Sequence, residues 1–90
     1  MDNWPNKDPE DLDDFGIDWT AKLLGAETIA SVVWIVPAPL VKASEAINGA
    51  VTLIRLSGGV SGAAYTVTCR MTSSTGRQLD RSARLLVIER

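Results

Sequence analysis

The feature that most constrains the fold of this chain is a two-residue alternation of apolar and polar side chains between Val51 and Val87. In the segment 64–72, one parity is largely apolar: Tyr65, Val67, Cys69 and Met71. The other parity is polar: Thr66, Thr68, Arg70 and Thr72. Successive side chains of a β-strand point to opposite faces of its sheet, so this period predicts strands with one buried face.

Turn signals and apolar runs divide the chain into six or seven short strands. The predicted strands cover residues 15–19, 28–36, 50–56, 63–72 and 78–88, and residues 40–46 form either a brief strand or one helical turn. Asn48-Gly49 is a turn signal between two of them. In 28–36 the β-branched residues favour a strand, and because apolar side chains occupy both parities, we expect both of its faces to be covered.

Short strands without a helix predict an all-β sandwich, because each of its sheets must bury one face. The immunoglobulin-like form of this architecture commonly has a buried tryptophan, which Trp34 can supply. It also commonly has an inter-sheet disulfide, which the lone Cys69 cannot form. The predicted fold is therefore a single immunoglobulin-like antiparallel β-sandwich over residues 14–90, preceded by an extended acidic arm at residues 1–13.

The size and composition are those of one small globular unit. The chain has 90 residues, of which 46% are hydrophobic, and no apolar run approaches the about 18 residues needed to cross a membrane. Its first residues lack the basic and apolar regions of a secretory signal. We therefore expect synthesis and folding in a cytoplasm, without membrane association.

Charge is distributed unevenly between the arm and the rest of the chain. Residues 1–18 carry a net charge of −6, whereas the remainder carries +4. Such asymmetry indicates an arm that lies on a basic surface, either its own or a partner's, or else a solvated leader. Trp4 has no local core to join, so it either docks on a neighbouring protein or folds back onto its own domain. The predicted interface residues of this region are Trp4, Asp11, Asp13 and Asp14.

The residues offer little catalytic chemistry. Histidine is absent, and Cys69 has the apolar parity of its strand, which indicates a buried structural thiol. If an EF-hand loop began at Asp11, its fifth and twelfth positions would be Phe15 and Lys22. Both positions require oxygen ligands, so two ligands of an EF-hand are missing. The alternatives are a solvated acidic arm and an irregular calcium site. We predict no catalytic residue, no cofactor and no metal.

Two further surfaces are candidates for binding. Arg70 and Arg84 have the polar parity of their strands, so they are expected to share an exposed face. Nucleic-acid binding would require exposed aromatic side chains beside them, and it is not expected. Leu86 and Ile88 are predicted to point outward from the terminal strand. That strand is then either an exposed edge that binds a partner or an edge that the arm covers.

The Ser57–Gly62 segment resembles a phosphate-binding loop only in its glycine content. Phosphate-binding loops lead from a strand into a helix, whereas this one leads into another strand and no lysine follows. Glycines at Gly58 and Gly59 instead predict a strand connection with positive φ angles.

Four ordered segments resemble those of small tailed-bacteriophage virion proteins described as phage fibre–tail adaptors. They are DPEDLDDFGIDW at 8–19, ETIASVVWIVP at 27–37, LSGGVSGAAYTVTCRMT at 56–72 and GRQLDRS at 76–82. The resemblance extends from Asp8 to Val87, and it departs from the family pattern between Ala38 and Val51 and at Ala63-Ala64. It implies an immunoglobulin-like fold and a non-enzymatic structural role, and the family has no catalytic residues to transfer.

The resemblance implies a virion adaptor that links tail or neck to fibres. Its implied partners are other virion proteins and copies of itself in a symmetric ring, assembled in the host bacterial cytoplasm. The arm and the exposed edge strand are the expected contacts. Two alternatives remain open: a capsid cement protein, and a carbohydrate-binding β-sandwich, which would need a planar set of exposed aromatic rings.

Overall fold

A computed structural model describes residues 2–89, which form seven β-strands and one short 3-10 helical turn at Thr20–Lys22. The strands are β1 (Asp2–Asn3), β2 (Asp13–Asp18), β3 (Ile29–Ile35), β4 (Val41–Asn48), β5 (Val51–Ser57), β6 (Ala64–Ser73) and β7 (Gln78–Leu86). The all-β class predicted from the sequence is confirmed. None of the described residues belongs to a helix with the length and apolar content needed to cross a membrane.

The strands are arranged in two sheets. Sheet A has the order β1-β7-β6-β3, and sheet B has the order β2-β5-β4. Strand β1 runs parallel to β7, and all other pairs are antiparallel. The turn signal at Asn48-Gly49 marks the tight β4–β5 hairpin: Asn48 pairs with Val51, and Gly49, with a φ of +60°, and Ala50 form its two-residue loop.

The two sheets contribute to one hydrophobic core. Sheet A supplies Trp34, Val67, Cys69, Met71, Ala83 and Leu85, and sheet B supplies Phe15, Ile17, Ile54 and Leu56. The alternation predicted for β6 is confirmed, because Val67, Cys69 and Met71 are buried while Arg70 on the other parity is exposed. At the sheet interface, Thr52 Oγ1 lies 3.7 Å from Cys69 Sγ.

The prediction that β3 is covered on both faces is wrong. Trp34 is buried, but its neighbours Val33 and Ile35 remain 59% and 47% exposed. Strand β3 is the last strand of sheet A, and only its Trp34 face lies over the core. Apolar residues on both parities of this strand therefore mark an exposed apolar surface and not a doubly covered strand.

The ambiguous segment 40–46 lies in strand β4. All eight residues of β4 are exposed, because it is the edge of sheet B and it pairs only with β5. A strand that is exposed on both faces needs no apolar periodicity, and for that reason the sequence did not separate a strand from a helical turn here.

The N-terminal residues cover the edge of β7. Asp2 and Asn3 pair in parallel with Ala83 and Arg84, and a further bridge joins Lys7 to Val87. Between residues 83 and 88, β7 and its continuation are therefore flanked by β6 on one side and by the N-terminal residues on the other. Of the two alternatives for the terminal strand, the structure has the covered edge.

Candidate interaction surfaces

Trp4 occupies an aromatic pocket of its own domain. Its ring stacks on Phe15 with a centroid separation of 4.9 Å and an interplanar angle of 22°, and it lies 6.2 Å from the Trp34 ring. The indole Nε1 donates a hydrogen bond of 3.0 Å to the Gly16 carbonyl. Only 9% of the residue is exposed, so Trp4 folds back onto its own domain and is not on the described surface.

Backbone hydrogen bonds fix residues 2–7 along β7. From here on, the arm means these residues only. Trp4 N donates to Arg84 O and Lys7 N donates to Leu86 O, both at 3.0 Å. Ile88 N in turn donates to Lys7 O at 2.8 Å. These bonds satisfy main-chain groups that an open strand edge would leave to solvent or to another chain.

Lys7 is a site residue that the sequence did not indicate. Its side chain is fully buried, and Nζ donates 2.8 Å hydrogen bonds to the carbonyls of Asp8 and Gly58. A buried ammonium group requires such acceptors. Lys7 therefore joins the arm to the glycine loop between β5 and β6. Sequence alone did not indicate this role, because a lysine in an acidic leader is expected to be a solvated charge.

Arg81 binds the acidic end of the arm. Its Nη2 donates to both carboxylate oxygens of Asp2 at 2.9 and 2.8 Å. Its Nη1 donates to the Asp18 carbonyl, and its guanidinium carbon lies 5.7 Å from the centroid of the Trp19 ring. Part of the opposite charge of arm and body is thus neutralised within one chain by the Arg81–Asp2 ion pair.

Of the predicted acidic residues, Asp11 lies in the connection between the arm and β2, and Asp13 and Asp14 are the first residues of β2. Asp14 forms an ion pair with Arg55, with Nε at 2.6 Å from Oδ1, and this hydrogen bond lowers the pKa of Asp14. Asp13 Oδ1 accepts from Asp14 N, and Asp11 N donates to Asp8 O. Among residues 2–89, no three His, Cys, Asp or Glu side chains are grouped as they would be around a metal ion.

Arg70 and Arg84 lie on the outer face of sheet A, as their parity predicted. Arg70 is opposite Asp80 and Arg84 is opposite Thr66 in the β6–β7 ladder. Arg70 forms a bidentate pair with Asp80 at 2.9 and 3.1 Å, and this pairing lowers the pKa of the Asp80 carboxyl. Half of the expected basic patch is therefore neutralised locally.

Leu86 and Ile88 lie where the arm ends its contact with β7. Leu86 is half-buried, whereas Ile88 is 37% exposed. The carbonyl of Leu86 and the amide of Ile88 both bond to Lys7. Their backbone edge is occupied, so any contact with another protein has to use their side chains.

Exposed apolar side chains also lie on the edge strands β3 and β4, which the sequence did not indicate. We call these two strands the open side; their exposed apolar residues are Val33, Ile35, Val41 and Ile47, which are between 42% and 59% exposed. Ile47 pairs with the buried Thr52, so it has the inner parity of sheet B but no covering strand. Between Val32 and Ile47 lies an open cleft of about 390 Å³.

Both strands of the open side are irregular at one end. A register shift occurs between Ile29 and Ser31 of β3, and another occurs between Lys42 and Ser44 of β4. Lys42 and Glu45 form a 2.8 Å ion pair along β4. Bulges and charges on an edge oppose indiscriminate strand pairing, so the side chains of the open side are better suited to contact than its backbone.

Other residues of the resembling segments meet in a structural cluster. Glu27 accepts from both Arg77 Nε and Nη2 at 3.1 and 3.0 Å, from Leu24 N at 3.1 Å and from the Thr75 hydroxyl. Hydrogen bonding by Ser73, then by Thr75 and Arg77, lowers the pKa of Glu27 to about 2. Segments 27–37 and 76–82 are thus joined by an ion pair that holds the loop before β3 to the β6–β7 hairpin.

The structure defines a small all-β protein whose prominent features are a docked arm on one edge and an apolar open side on the other. A family model described as Podophage GP4 fiber-tail adaptor protein gp77 matches residues 7–86. The chain therefore belongs to this family, which confirms the resemblance and indicates a structural role in a phage particle. No curated protein matches the chain.

Proposed function

We propose that the protein is a non-enzymatic adaptor of a tailed-phage virion that joins tail or neck proteins to fibres through the open side. Family membership over residues 7–86 supports the structural role. The observation that carries the docking site is the exposure of Val33 and Ile35, which are neighbours on the outer face of the edge strand β3, since adjacent exposed apolar side chains mark protein interfaces.

The fold would act as a rigid spacer in this role. We take the two sheets and their shared core as an immunoglobulin-like β-sandwich, with Trp34 as its central aromatic residue. The partner would contact Val33 and Ile35 beside the Arg70–Asp80 pair, so that a polar rim surrounds an apolar centre. Copies in a ring, assembled in the host cytoplasm, would strengthen modest single contacts through avidity.

A carbohydrate-binding role receives less support from the positions of the aromatic rings. Phe15, Trp19 and Trp34 are buried, as is Trp4. Tyr65 is half-buried, and its hydroxyl accepts a hydrogen bond from Val60 N. Sugar stacking needs exposed rings in a plane, and these rings are used for packing.

Co-sedimentation with phage particles tests the proposal. Purified protein is mixed with particles of the phage that encodes it, grown without this protein, and the bound fraction is measured. We expect saturable binding at a stoichiometry set by the particle's symmetry. Val33→Asp combined with Ile35→Asp should reduce binding at least about tenfold, because a desolvated carboxylate is costly in an apolar contact.

Leu12→Asp combined with Leu24→Asp is the matched control, because it places the same two charges on apolar side chains that are 56% and 63% exposed but lie outside β3 and β4. It should bind as the unchanged chain does. Equal binding by all three proteins would exclude the open side as the docking site. Failure of the unchanged chain to bind would overturn the adaptor function itself.

A further inference from the structure

We propose that the outer face of sheet B is a self-association surface, on which two copies of this chain pair face to face about a two-fold axis. The outer face consists of the residues of β2, β5 and β4 that point away from the core. This pairing is separate from the docking site proposed on β3. That site lies on the outer face of sheet A and stays free in such a pair.

The central strand of sheet B is apolar on both of its faces. In β5, Ile54 and Leu56 are buried in the core, whereas Val51 and Leu53 have the opposite parity and are half-buried on the outer face. Apolar residues on both parities are typical of a strand that is covered on both faces, and the described strands form no third layer over this one. The outer faces of the central strands of sheet A are instead polar, with Thr66, Thr68, Arg70, Asp80, Ser82 and Arg84.

Leu53 forms a projection on this face, and a hollow lies beside it. A Cβ added to Gly16 would lie 3.0 Å from Leu53 Cδ2, so the leucine side chain leans over β2 and uses the space that the glycine leaves. On the β4 side of Leu53 lies an open cleft of about 170 Å³, whose lining includes Ser44 and Ala46. The face is therefore raised on one side of β5 and hollow on the other.

A two-fold axis that runs along β5 makes this face complementary to itself. Such an axis lays β2 of one copy over β4 of the other, so Leu53 of each copy leans over the hollow of its partner. The same rotation places Gly16 opposite Ala46 of the second copy, and Val51 opposite Val51 of the second copy. Large apolar side chains thus meet near the axis, and small residues face each other beside it.

The polar residues of the face also match under this rotation. Asp14 forms its ion pair with Arg55 and lies opposite Ser44 of the second copy, whose hydroxyl can donate to it. Asp18 lies opposite Asn48 of the second copy, whose amide can donate as well. Each guanidinium is drawn toward Asp14 of its own β2, so the two Arg55 side chains lie on opposite sides of the axis. This match of apolar and polar positions is the reason to assign the face to a second copy.

The size of the face predicts a weak and reversible pair. Three strands with about six residues each give a face of about 14 by 20 Å, well below the about 800 Å² per partner of a standard stable interface. We therefore expect monomers in dilute solution and dimers at concentrations of about 0.1–1 mM.

Sedimentation equilibrium of the purified chain between about 10 µM and about 1 mM tests the pairing. The weight-average mass should rise toward that of two chains. Ala46→Asp should raise the dissociation constant at least about tenfold, because it places a carboxylate beneath Leu53 of the second copy.

Ile47→Asp is the matched control. It places the same charge at the next residue of β4, where the side chain has the inner parity of sheet B and is 42% exposed. This variant should dimerise as the unchanged chain does, and equal weakening by the two aspartates would exclude the outer face as the contact. If the unchanged chain kept the mass of one chain up to about 1 mM, the proposal would be overturned and the face would be left to a different protein.

Cross-linking at the axis tests the geometry without relying on the Ala46→Asp variant. In a Val51→Cys chain, the two thiols face each other across sheets that pack about 10 Å apart, so a bismaleimide of that length should join them. Thr66→Cys, exposed on the outer face of sheet A, measures random collision. At about 1 mM, the Val51→Cys chain should give at least about five times more cross-linked dimer than this control. Equal yields would contradict the two-fold arrangement. The native Cys69 thiol is buried and its pKa is raised to about 11, so it does not compete.

Discussion

Glu27 illustrates how a single residue holds the fold together. Its carboxylate is almost completely inaccessible, with 1% side-chain exposure, although it is in the loop before β3. Arg77, Thr75 and the Leu24 amide satisfy its oxygens, and the Arg77 guanidinium also donates to the Lys22 carbonyl. A charged group in this position is stabilising only while the set of partners is complete.

The lowered pKa of Glu27 predicts acid sensitivity. The folded-state pKa of about 2 is below the ordinary 4.5, so between these values the unfolded chain binds more protons than the folded one. The stability that Glu27 contributes is therefore fully present above pH 4.5 and is lost as the pH falls toward 2. Urea unfolding across this range should show the decline.

Glu27→Gln provides the control for that experiment. The amide cannot ionise, so the variant should be less stable at pH 7, and the difference from the unchanged chain should shrink as the pH falls from 4.5 to 2. Asp14, Asp18 and Asp80 also have lowered pKa values, but they titrate in both proteins and cancel in the difference. A difference that stays constant across this range would contradict the assigned role of Glu27.

Cys69 should be unreactive in the folded protein. Burial raises the pKa of its thiol to about 11, so the thiolate is scarce at pH 8, and the residue is also inaccessible to reagents. Labelling by a disulfide reagent at pH 8 should be at least about 100-fold slower than in the chain unfolded by denaturant. Similar rates in the two states would place Cys69 outside the core.

At the scale of elements, the loop between β5 and β6 depends on glycine for two separate reasons. Gly58 has a φ of +80°, and a Cβ there would lie 2.8 Å from the Pro39 carbonyl oxygen. Gly62 has a φ of +88° but has open space around it. One position therefore needs both the left-handed conformation and the missing side chain, whereas the other needs only the conformation.

Alanine substitutions should separate these two requirements. Gly62→Ala is expected to cost about 1–2 kcal/mol for the backbone conformation alone. Gly58→Ala should cost about 3 kcal/mol or more, because the backbone near Pro39 must also shift. Urea denaturation followed by tryptophan fluorescence measures both. Equal losses would mean that the Pro39 contact is relieved without cost.

The sequence predicts the central strands well and the edge strands poorly. In β6, burial on one face imposes alternation, so Val67, Cys69 and Met71 could be assigned to the core directly. Val33 and Ile35 have the same residue types as core positions, and only the sheet order reveals that nothing covers them. Burial depends on neighbours that are distant in sequence, which local composition does not specify.

The arm was less predictable still. Asp2 and Asn3 pair in parallel with β7, which lies near the other end of the sequence, so no turn signal connects the two segments. Trp4 was the one usable signal, because a tryptophan in an acidic leader requires some apolar environment. The environment itself, formed by Phe15 and Trp34, could not be deduced from residues near Trp4.

In the whole molecule, the two candidate surfaces lie on opposite edges. The arm borders β7 at one side of sheet A, and β3 ends the sheet at the other, about 14 Å away for three strand spacings. A fibre or tail protein on the open side would therefore not obstruct the arm.

Removing residues 1–7 should show how much of the molecule's stability resides in the arm. The deletion exposes the Phe15 and Trp34 rings and uncovers the β7 edge, so we expect a loss of about 3–5 kcal/mol, comparable to truncating a buried tryptophan. The uncovered edge should also cause concentration-dependent association. Thermal unfolding and size-exclusion chromatography measure the two effects, and Asn3→Ala, at an exposed arm position, should change neither appreciably. If the shortened chain unfolded at the same temperature and remained monomeric, the arm would be an accessory to the core.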